Sequence, residues 1–226
     1  MPLASQHMKP TKLRRSVGRP RLFNMDRALD RAMHVFWQKG YEGASLTDLT
    51  EAMGIKRPSL YAAFGDKETL FRKVMDRYGE LSSASIGFQS DAPTARAYVE
   101  GLFRRAADWH TDPRTPPGCL MVVGALVCGA ESSAIWKEMN ARRAADEALI
   151  RQRLKRAQKL GDLPPREDPA SLAQYVVTVI RGMVVQAVGG ASRADLEGVI
   201  RVALRGWPDS PKDKHPRRSN SRDEKS

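Results

Sequence analysis

The sequence predicts an all-α protein in which a small N-terminal group of helices is followed by a larger helical domain. Apolar residues recur at helical spacing in successive segments, and capping residues and glycines separate these segments. Aromatic residues make up 7% and charged residues 28% of the 226 residues, which is ordinary for a soluble helical protein with one or two cores. We therefore expect an N-terminal domain over residues 23–78 and a C-terminal domain over residues 79–207.

Residues 45–71 carry the clearest signals in the chain. Ser45 begins a short helix through a capping box, and Gly54 ends that helix because glycine enters the left-handed region freely. Pro58 then occupies a first-turn position, where the amide it lacks would have had no partner. Asp66 caps the helix that follows. Helix, glycine-containing turn and helix in this order predict a three-helix helix-turn-helix DNA-binding domain, whose second motif helix enters the major groove.

The charge of the chain favours a polyanionic partner. Its net charge is +12 and its pI is about 10.0. Residues 1–65 contain eleven Lys and Arg against five Asp and Glu, a difference of +6, so half of the excess lies in the first third. A merely basic surface is the alternative, and the helix-turn-helix pattern favours nucleic acid instead.

The N-terminal domain resembles the DNA-binding domain of the tetracycline-repressor-like (TetR/AcrR-like) family of bacterial transcriptional regulators. The residues that carry the resemblance are Phe36, Gly40-Tyr41, Ser45, Met53-Gly54-Ile55, Leu60-Tyr61, Phe64, Lys67-Glu68 and Leu70-Phe71. Beyond Gly79 only the general helical plan is similar. The resemblance implies a homodimeric, ligand-responsive repressor that binds a palindromic operator in double-stranded DNA and is released by a small molecule.

Candidate DNA contacts follow from this resemblance and from side-chain chemistry. The candidates in the helix-turn-helix are Thr47, Arg57, Pro58, Ser59, Tyr61, Ala62 and Lys67. Thr47, Tyr61 and Lys67 match family positions that hold phosphates, which position the protein without specifying sequence. Arg57 can reach guanine with a bidentate fork, and Ser59 can take a base edge or a phosphate.

The recognition helix also departs from the family. Ala62 and Ala63 stand where the family usually has Tyr and His, and Gly65 replaces a frequent Lys. Two common DNA contacts are therefore missing, although small apolar side chains suit contact with thymine methyl groups.

Residues 1–22 are expected to form a basic, disordered arm. They contain six basic residues and no acid, and they lack hydrophobic periodicity. The segment around Arg19 and Arg21 resembles the short arginine hooks that lie in an A·T-rich minor groove. A solubilising tail is the alternative interpretation.

Helical patterns continue through the rest of the chain. Helix one is expected over residues 25–39 with Asn24 as its cap, and helix four begins at Lys67, with residues 79–92 as its frayed end or a loop. Further helices are expected from Pro93, with Asp91 or Ala92 as cap, to His110; over Gly118–Gly129; from Ser132 or Ser133 to Leu160; from Asp168 to Val188; and from Ser192 to Gly206. The long central helix has its predicted stripe along Ile135, Met139, Arg142, Ala145, Leu149, Arg153 and Ala157. Residues 208–226 are expected to be a disordered tail.

The last two helices are expected to form a dimer interface. Residues 168–188 carry Val and Ile on several faces, and a helix that is hydrophobic nearly all round must be covered. The family resemblance implies that these helices pair with those of a second subunit in a four-helix bundle. A monomeric core helix is the alternative.

No segment is expected to span a membrane. The longest apolar run, Cys119 to Ala130, has 12 residues, against the roughly 20 that a spanning helix needs. Residues 175–188 are interrupted by Arg181, and the basic N-terminus has no apolar segment behind it, as a secretory signal would. We therefore expect a cytoplasmic protein that associates with the nucleoid when bound to DNA.

The resemblance also implies a ligand cavity between the middle helices of the C-terminal domain. Candidate lining residues are Phe103, Trp109, Cys119, Met121, Trp136, Met139, Arg181 and Met183, although such residues are more often plain core. Arg181 is either an anchor for a ligand carboxylate or a side chain that snorkels or pairs with an acid. Cys119 is either a small buried residue or a thiol/electrophile sensor whose pKa is lowered at a helix start. Cys119 and Cys128 are nine positions apart, roughly 13 Å along one helix, which exceeds the roughly 7 Å limit for a disulfide.

Enzymatic machinery is not visible in the sequence. The chain has no phosphate-binding glycine loop, no HExxH, no GxSxG and no cysteine pair at zinc-finger spacing. We therefore expect neither catalysis nor a cofactor or metal. A ligand-free architectural DNA-binding protein is the remaining alternative, and a cavity with a bound small molecule would separate the two.

Overall fold

The computed structural model describes residues 23–88, 91–122 and 133–211, and the regular structure in these ranges is helical. The helices are α1 (Met25–Gly43), α2 (Leu46–Met53), α3 (Arg57–Phe64), α4 (Lys67–Ile86), α5 (Ala95–His110), α6 (Ser133–Lys159), α7 (Pro169–Val188) and α8 (Arg193–Arg205). Residues 120–122 are also helical, but most of the predicted apolar helix, the predicted arm and most of the predicted tail lie outside the described residues. The all-α prediction is confirmed.

Most helix starts lie where the sequence predicts them, because local side chains satisfy the free amides. The Asn24 side chain accepts a hydrogen bond from the amide of Arg27 at 2.9 Å, and Ser45 forms the predicted capping box. Asp66 and Asp168 cap α4 and α7 in the same way. Each cap stabilises its helix by typically about 1 kcal/mol.

Two predicted boundaries are wrong, whereas the predicted end of helix one near residue 39 coincides with a break. Gly40 is non-helical, with φ 69°, and α1 resumes beyond it to Gly43. Helix α4 continues through Gly79 and ends only at Gly87, whose φ is 72°, so the Ser-rich segment is mainly helical. Helix α5 is capped by Thr94 rather than Asp91 or Ala92, and a long-range carboxylate joins it: Asp162 Oδ2 accepts from the amide of Ala95 at 2.6 Å.

The buried apolar residues form two cores. The first unites α1 to α4 around large side chains such as Phe36, Leu49 and Phe71. The second unites α5, α7, α8 and the C-terminal half of α6. Ile135 and Met139 at the start of α6 belong to the first core, so α6 spans both.

This double role changes the predicted stripe of α6. Ile150 and Leu154 are buried, whereas Ala145 is exposed. The helix packs on the N-terminal core with one face and on the C-terminal core with another, so its buried positions do not follow one straight line. A stripe drawn from periodicity alone could not show that the contact changes along the helix.

Ion pairs join α4 to α6 beside the first core. Arg72 Nε lies 2.9 Å from a Glu138 oxygen, and Arg142 bridges Asp76 at 2.6 Å and Glu138 at 2.8 Å. Exposed pairs of this kind stabilise a fold by about 0–1 kcal/mol each. Their main consequence is geometric, since they set the register of the N-terminal domain against the C-terminal one.

Helix α7 contradicts the expectation that every apolar segment is too short, or too interrupted by charge, to span a membrane. By length and composition alone it is long and apolar enough to cross a membrane, in spite of Arg181. Its buried residues, including Val176 and Met183, pack against the neighbouring helices α5 and α6. Other apolar residues of this helix, among them Val185 and Val188, remain exposed.

Candidate DNA-reading surface and regulatory cavity

The turn between α2 and α3 presents α3 outward. Gly54 adopts the left-handed conformation (φ 68°, ψ 34°), and its amide donates to the carbonyl of Glu51 at 3.1 Å. Met53 before the turn and Leu60 and Phe64 after it are buried in the N-terminal core. The opposite face of α3 is therefore left to solvent, in the position of a recognition helix.

The predicted DNA contacts on α3 share this open face. Arg57, Pro58 and Ala62 are exposed, Ser59 is half-buried, and the large ring of Tyr61 is 49% exposed. The helix contains no acidic residue, so its surface carries no charge that repels phosphate. Arg19 and Arg21 lie outside the described residues.

Arg57 is tied to α2 by a hydrogen bond that sequence reasoning did not foresee. Its Nη2 donates to Oγ1 of Thr47 at 3.0 Å, across ten positions of the chain. Both side chains are exposed, so the bond limits the rotamers of Arg57 without burying it. Thr47 thus orients the predicted base reader, in addition to its predicted role as a phosphate contact.

Lys67 lies at the start of α4 against the aromatic ring of Tyr41. Its Nζ is 4.6 Å from the ring centroid and 3.5 Å from the carbonyl oxygen of Glu42. Partial burial lowers the pKa of the lysine, while Glu42 acts in the opposite direction. The ammonium is therefore held in one place beside the recognition helix.

Lys39 joins the capping box of α2 to α1, a contact that the sequence did not predict. Its Nζ lies 2.7 Å from Oδ1 of Asp48, the acid of the α2 capping box. This bond and those from Ser45 lower the pKa of Asp48 to about 2. Because α1 and α2 are joined here by charge, the cap is fixed to the rest of the domain; no local sequence signal reveals this pairing.

A small cavity lies between α4, α5, α6 and α7. Its volume is about 60 Å³, which is room for a few water molecules. The lining residues from the four helices are Tyr78, Ser82 and Ile86; His110; Arg143 and Asp146; and Val177, Ile180, Arg181 and Val184. Phe88 and the segment before α6 complete it with Cys119, Met121 and Val122.

Only three predicted lining residues face this cavity: Cys119, Met121 and Arg181. The other five do not line it. Phe103 and Met139 are fully buried in the two cores, Met183 is buried beside a groove near α8, Trp109 packs between the cores, and Trp136 is 48% exposed. Residue type alone does not distinguish a pocket from a core, because both use large apolar side chains.

Burial controls the titration of the polar residues around the cavity. It raises the pKa of Asp146 to about 6, and Arg181 offsets this only in part. It lowers the pKa of His110 to about 4, and Nδ1 of that ring lies 2.9 Å from the carbonyl oxygen of Gly118. Since a carbonyl only accepts, His110 is the neutral tautomer protonated at Nδ1, and Nε2 is an acceptor. Neither residue stood out in sequence, where Asp146 is one charge among many on a long helix.

The predicted lowering of the Cys119 pKa is wrong. Burial raises the pKa of its thiol, and this exceeds the opposing hydrogen bonds from Tyr78 and from the following backbone. The thiol does lie at a helix start, where the amides of Met121 and Val122 lower its pKa, but the cost of burying the charged form is larger.

Tyr78 connects the cavity to the DNA-binding domain. Its hydroxyl accepts a hydrogen bond from Nε1 of Trp109 at 3.2 Å. Its ring meets Trp37 of α1 edge to face, with centroids 4.9 Å apart, and Trp109 stacks on Trp37 at 6.1 Å. A side chain that lines the cavity therefore packs directly on the first helix of the DNA-binding domain.

This combination of an outward α3, a glycine turn and a helical body with a cavity defines a helix-turn-helix transcriptional regulator. The model for "Bacterial regulatory proteins, tetR family" matches residues 28–74, and the model for "Tetracyclin repressor-like, C-terminal domain" matches residues 95–202. The chain belongs to the TetR family of DNA-binding transcriptional regulators, and it is not an enzyme.

Individual relatives agree with this assignment. The chain is 38% identical to the HTH-type transcriptional repressor ComR of Escherichia coli (strain K12) over 87% of its own length and 95% of that protein. It is 44% identical, with a TM-score of 0.80, to a cysteine mutant of the TetR family regulator CifR complexed with 26-base-pair operator DNA, and the match covers 84% of this chain and all of that one. A TetR regulator from Rhodococcus sp. RHA1 is 35% identical over 82% of this chain and 100% of that chain, with a TM-score of 0.55.

Proposed function

We propose that this protein is a repressor that binds a palindromic operator as a homodimer and is released when a small molecule enters the cavity. The observation that carries the proposal is the position of Tyr78, which lines the cavity and packs on Trp37 of the DNA-binding domain. The repressor ComR and the operator-bound CifR, to which the chain is similar, support the DNA-binding part. The protein would act in the cytoplasm, on the nucleoid.

The proposed dimer interface is the outer surface of α7 and α8. Large apolar side chains are exposed there at Tyr175, Val185, Val188, Val199 and Val202, the last of them 59% exposed. Gly182 and Gly198 lie on the same helices and have room around them, which allows close approach of a partner helix. A contiguous apolar surface of this kind is typical of a protein interface. Two-fold symmetry would place the two recognition helices about 34–36 Å apart, one turn of DNA.

We propose that two parts of the chain contact DNA, the helix-turn-helix in the major groove and the N-terminal arm in the minor groove. Arg57, held by Thr47, would contact a base edge in the major groove, and Lys67 and Tyr61 would hold phosphates. The arm with Arg19 and Arg21 would enter the flanking minor groove. Fewer base-reading groups than usual are available, because Ala62 is small and exposed.

Release requires that the ligand bind more tightly to the conformation that does not fit the operator. A ligand in a cavity of about 60 Å³ would displace lining side chains, among them Tyr78. Tyr78 lies on α4, which leads directly out of the DNA-binding domain, and Trp37 and Trp109 pack on its ring. Movement of this residue would therefore change the spacing of the two recognition helices.

The test of the proposal is a comparison of Val202→Asp with Leu160→Asp. Both residues are exposed and apolar, but Leu160 lies at the end of α6, away from the proposed interface. Light scattering at micromolar concentration should show a dimer for the wild type and Leu160→Asp and a monomer for Val202→Asp, which should also lose operator binding. A monomeric wild type, with and without DNA, would overturn the dimer.

A further inference from the structure

We propose that the cavity selects a compact, uncharged molecule that has an apolar body and a hydrogen-bond donor beside an acceptor, such as a primary amide. The donor would face Asp146 and the acceptor would face Arg181, which lie on α6 and α7 around the same cavity. This inference rests on the proposed function, since it treats the cavity as the effector site.

The body of the ligand follows from the apolar part of the lining. Ile86 on α4 and Val177, Ile180 and Val184 on α7 contribute only hydrocarbon to the cavity. Burying hydrocarbon against them is favourable by about 25 cal/mol per Å². The small volume of about 60 Å³ limits the ligand to a few heavy atoms unless side chains move.

Most polar groups around the cavity are already satisfied by the protein. Arg143 donates to the carbonyl of Met121 at 2.8 Å and to Asn140. The ring of His110 bonds to Gly118, and the hydroxyl of Ser82 donates to Gly79 at 3.3 Å. Tyr78 is engaged with Trp109 and Cys119. These groups have less need of a ligand.

Asp146 and Arg181 differ from the other polar residues. Within residues 23–88, 91–122 and 133–211, neither side chain makes a hydrogen bond, and no ion pair within 4.0 Å joins them. Arg181 nevertheless partly offsets the effect of burial on the pKa of the Asp146 carboxyl. Among the described residues, two opposite charges therefore face the cavity without a close partner, a costly arrangement that a suitable ligand would relieve.

The charge of the ligand follows from this pair. A carboxylate that pairs with Arg181 would bring a second anion near Asp146, and an ammonium that pairs with Asp146 would approach Arg181. Each ion would satisfy one side chain and repel the other. A neutral group with an N–H and a C=O satisfies both, so the interpretation of Arg181 as an anchor for a free carboxylate is replaced by a bridging role.

Four probes of nearly equal shape test the inference: butyramide, 2-pentanone, butyrate and butylamine. The ketone replaces the amide nitrogen of butyramide by a methyl group and so removes only the donor. Affinity for the full-length protein at pH 7.5 is measured by calorimetric titration and by the shift of the unfolding midpoint. We expect butyramide to bind at least about tenfold more tightly than the other three.

Two variants should reverse the selectivity for charge. In Asp146→Leu, the affinity for butyrate should rise at least about tenfold relative to that for butyramide, because only the charge of Arg181 remains. In Arg181→Met, the affinity for butylamine should rise by a similar factor relative to that for butyramide, because only the charge of Asp146 remains. Glu147→Leu and Arg201→Met are matched controls outside the cavity and should keep the wild-type order. If the two cavity variants do not fold, Asp146→Asn and Arg181→Gln replace them, with the same expected direction.

The outcomes separate this inference from the proposed function. Equal binding of the four probes, tightest binding of an ion, or no binding of any probe by folded wild type would overturn the ligand class. Fluorescence anisotropy of labelled operator tests release independently. If butyramide binds selectively but does not release the protein from the operator, the ligand class is supported and the release mechanism is overturned. If a compound of another class releases the protein, the release mechanism is supported and the ligand class is overturned.

Discussion

Replacing Asp146 by Asn should stabilise the protein, and more so at high pH than at low pH. Burial raises the pKa of this carboxyl to about 6 from its ordinary 3.8. The folded protein therefore holds the proton more tightly than the unfolded chain, and stability falls as the pH rises between these two values. Asparagine has a similar shape and cannot ionise, so the variant lacks this loss.

The magnitude follows from the difference between the two pKa values. One pKa unit corresponds to 1.36 kcal/mol, so the ionised carboxylate destabilises the fold by at most about 3 kcal/mol at pH 8. At pH 5 the same relation leaves about half of this penalty. Because the residue is only partly buried, solvent screens the charge, and we expect a gain of about 1–2 kcal/mol at pH 8 that falls to about half of that value at pH 5.

The assay is urea unfolding of wild type and Asp146→Asn at pH 5 and pH 8, at one protomer concentration, since dimerisation would add to stability. His110 stays neutral over this range because its pKa is about 4. The titratable and charged groups that face the cavity around Asp146 are Tyr78, His110, Cys119, Arg143 and Arg181. A stability difference that is equal at the two pH values would refute the reasoning, since Asp146 would then not titrate between them. Glu147→Gln, at the next position of α6 and outside the cavity, is the matched control.

The remaining predictions concern DNA binding and the thiol. Arg57→Ala should cost about 1–3 kcal/mol of operator affinity and relax the preference at one base position per half-site. Lys67→Ala should weaken binding to all sequences alike and reduce the slope of log affinity against log salt by about one. Anisotropy titration measures both effects, and equal weakening of every sequence by Arg57→Ala would make that residue a phosphate contact. Thr47→Val should partly reproduce the loss of base preference of Arg57→Ala and Thr47→Ser should not, because only Val removes the hydroxyl that holds Arg57 at 3.0 Å. Removing residues 1–21 should lower operator affinity and flatten its salt dependence, and an unchanged slope would leave the arm as a tail. In the presence of thiol-reactive compounds, Cys119→Ser should be released from operator DNA to the same extent as wild type, since burial raises the pKa of the thiol. If the variant is no longer released and wild type is, the sensor interpretation is restored.

The helix-turn-helix could be predicted almost completely because its signals are local. The hydrogen bonds of Ser45 with Asp48 and of Asp66 with Thr69 span three positions each, and the turn at Gly54 needs only a left-handed backbone. Interactions this short are encoded by the residues themselves. The family followed from the same stretch.

Predictions failed where a distant residue decides the outcome. Helix α5 begins at Ala95 with help from Asp162, which lies 67 positions away. Helix α4 continues through Gly79 because Ser82 and Ile86 beyond it pack inward with Tyr78. Propensity marks a glycine as a possible end, but tertiary packing overrides a cost of about 1 kcal/mol.

The sequence by itself determined the helical class, the helix-turn-helix with its capped helices, and the membership of a DNA-binding family. Periodicity, caps and glycine turns each depend on only a few neighbouring residues. Only the tertiary structure decided which large side chains face the cavity and which are core, because burial depends on which helices meet. It also brought Asp146 of α6 to the same cavity as Arg181 of α7. Long-range packing sets both the desolvation of that carboxylate and its distance from the arginine, and neither can be read from residue type or spacing.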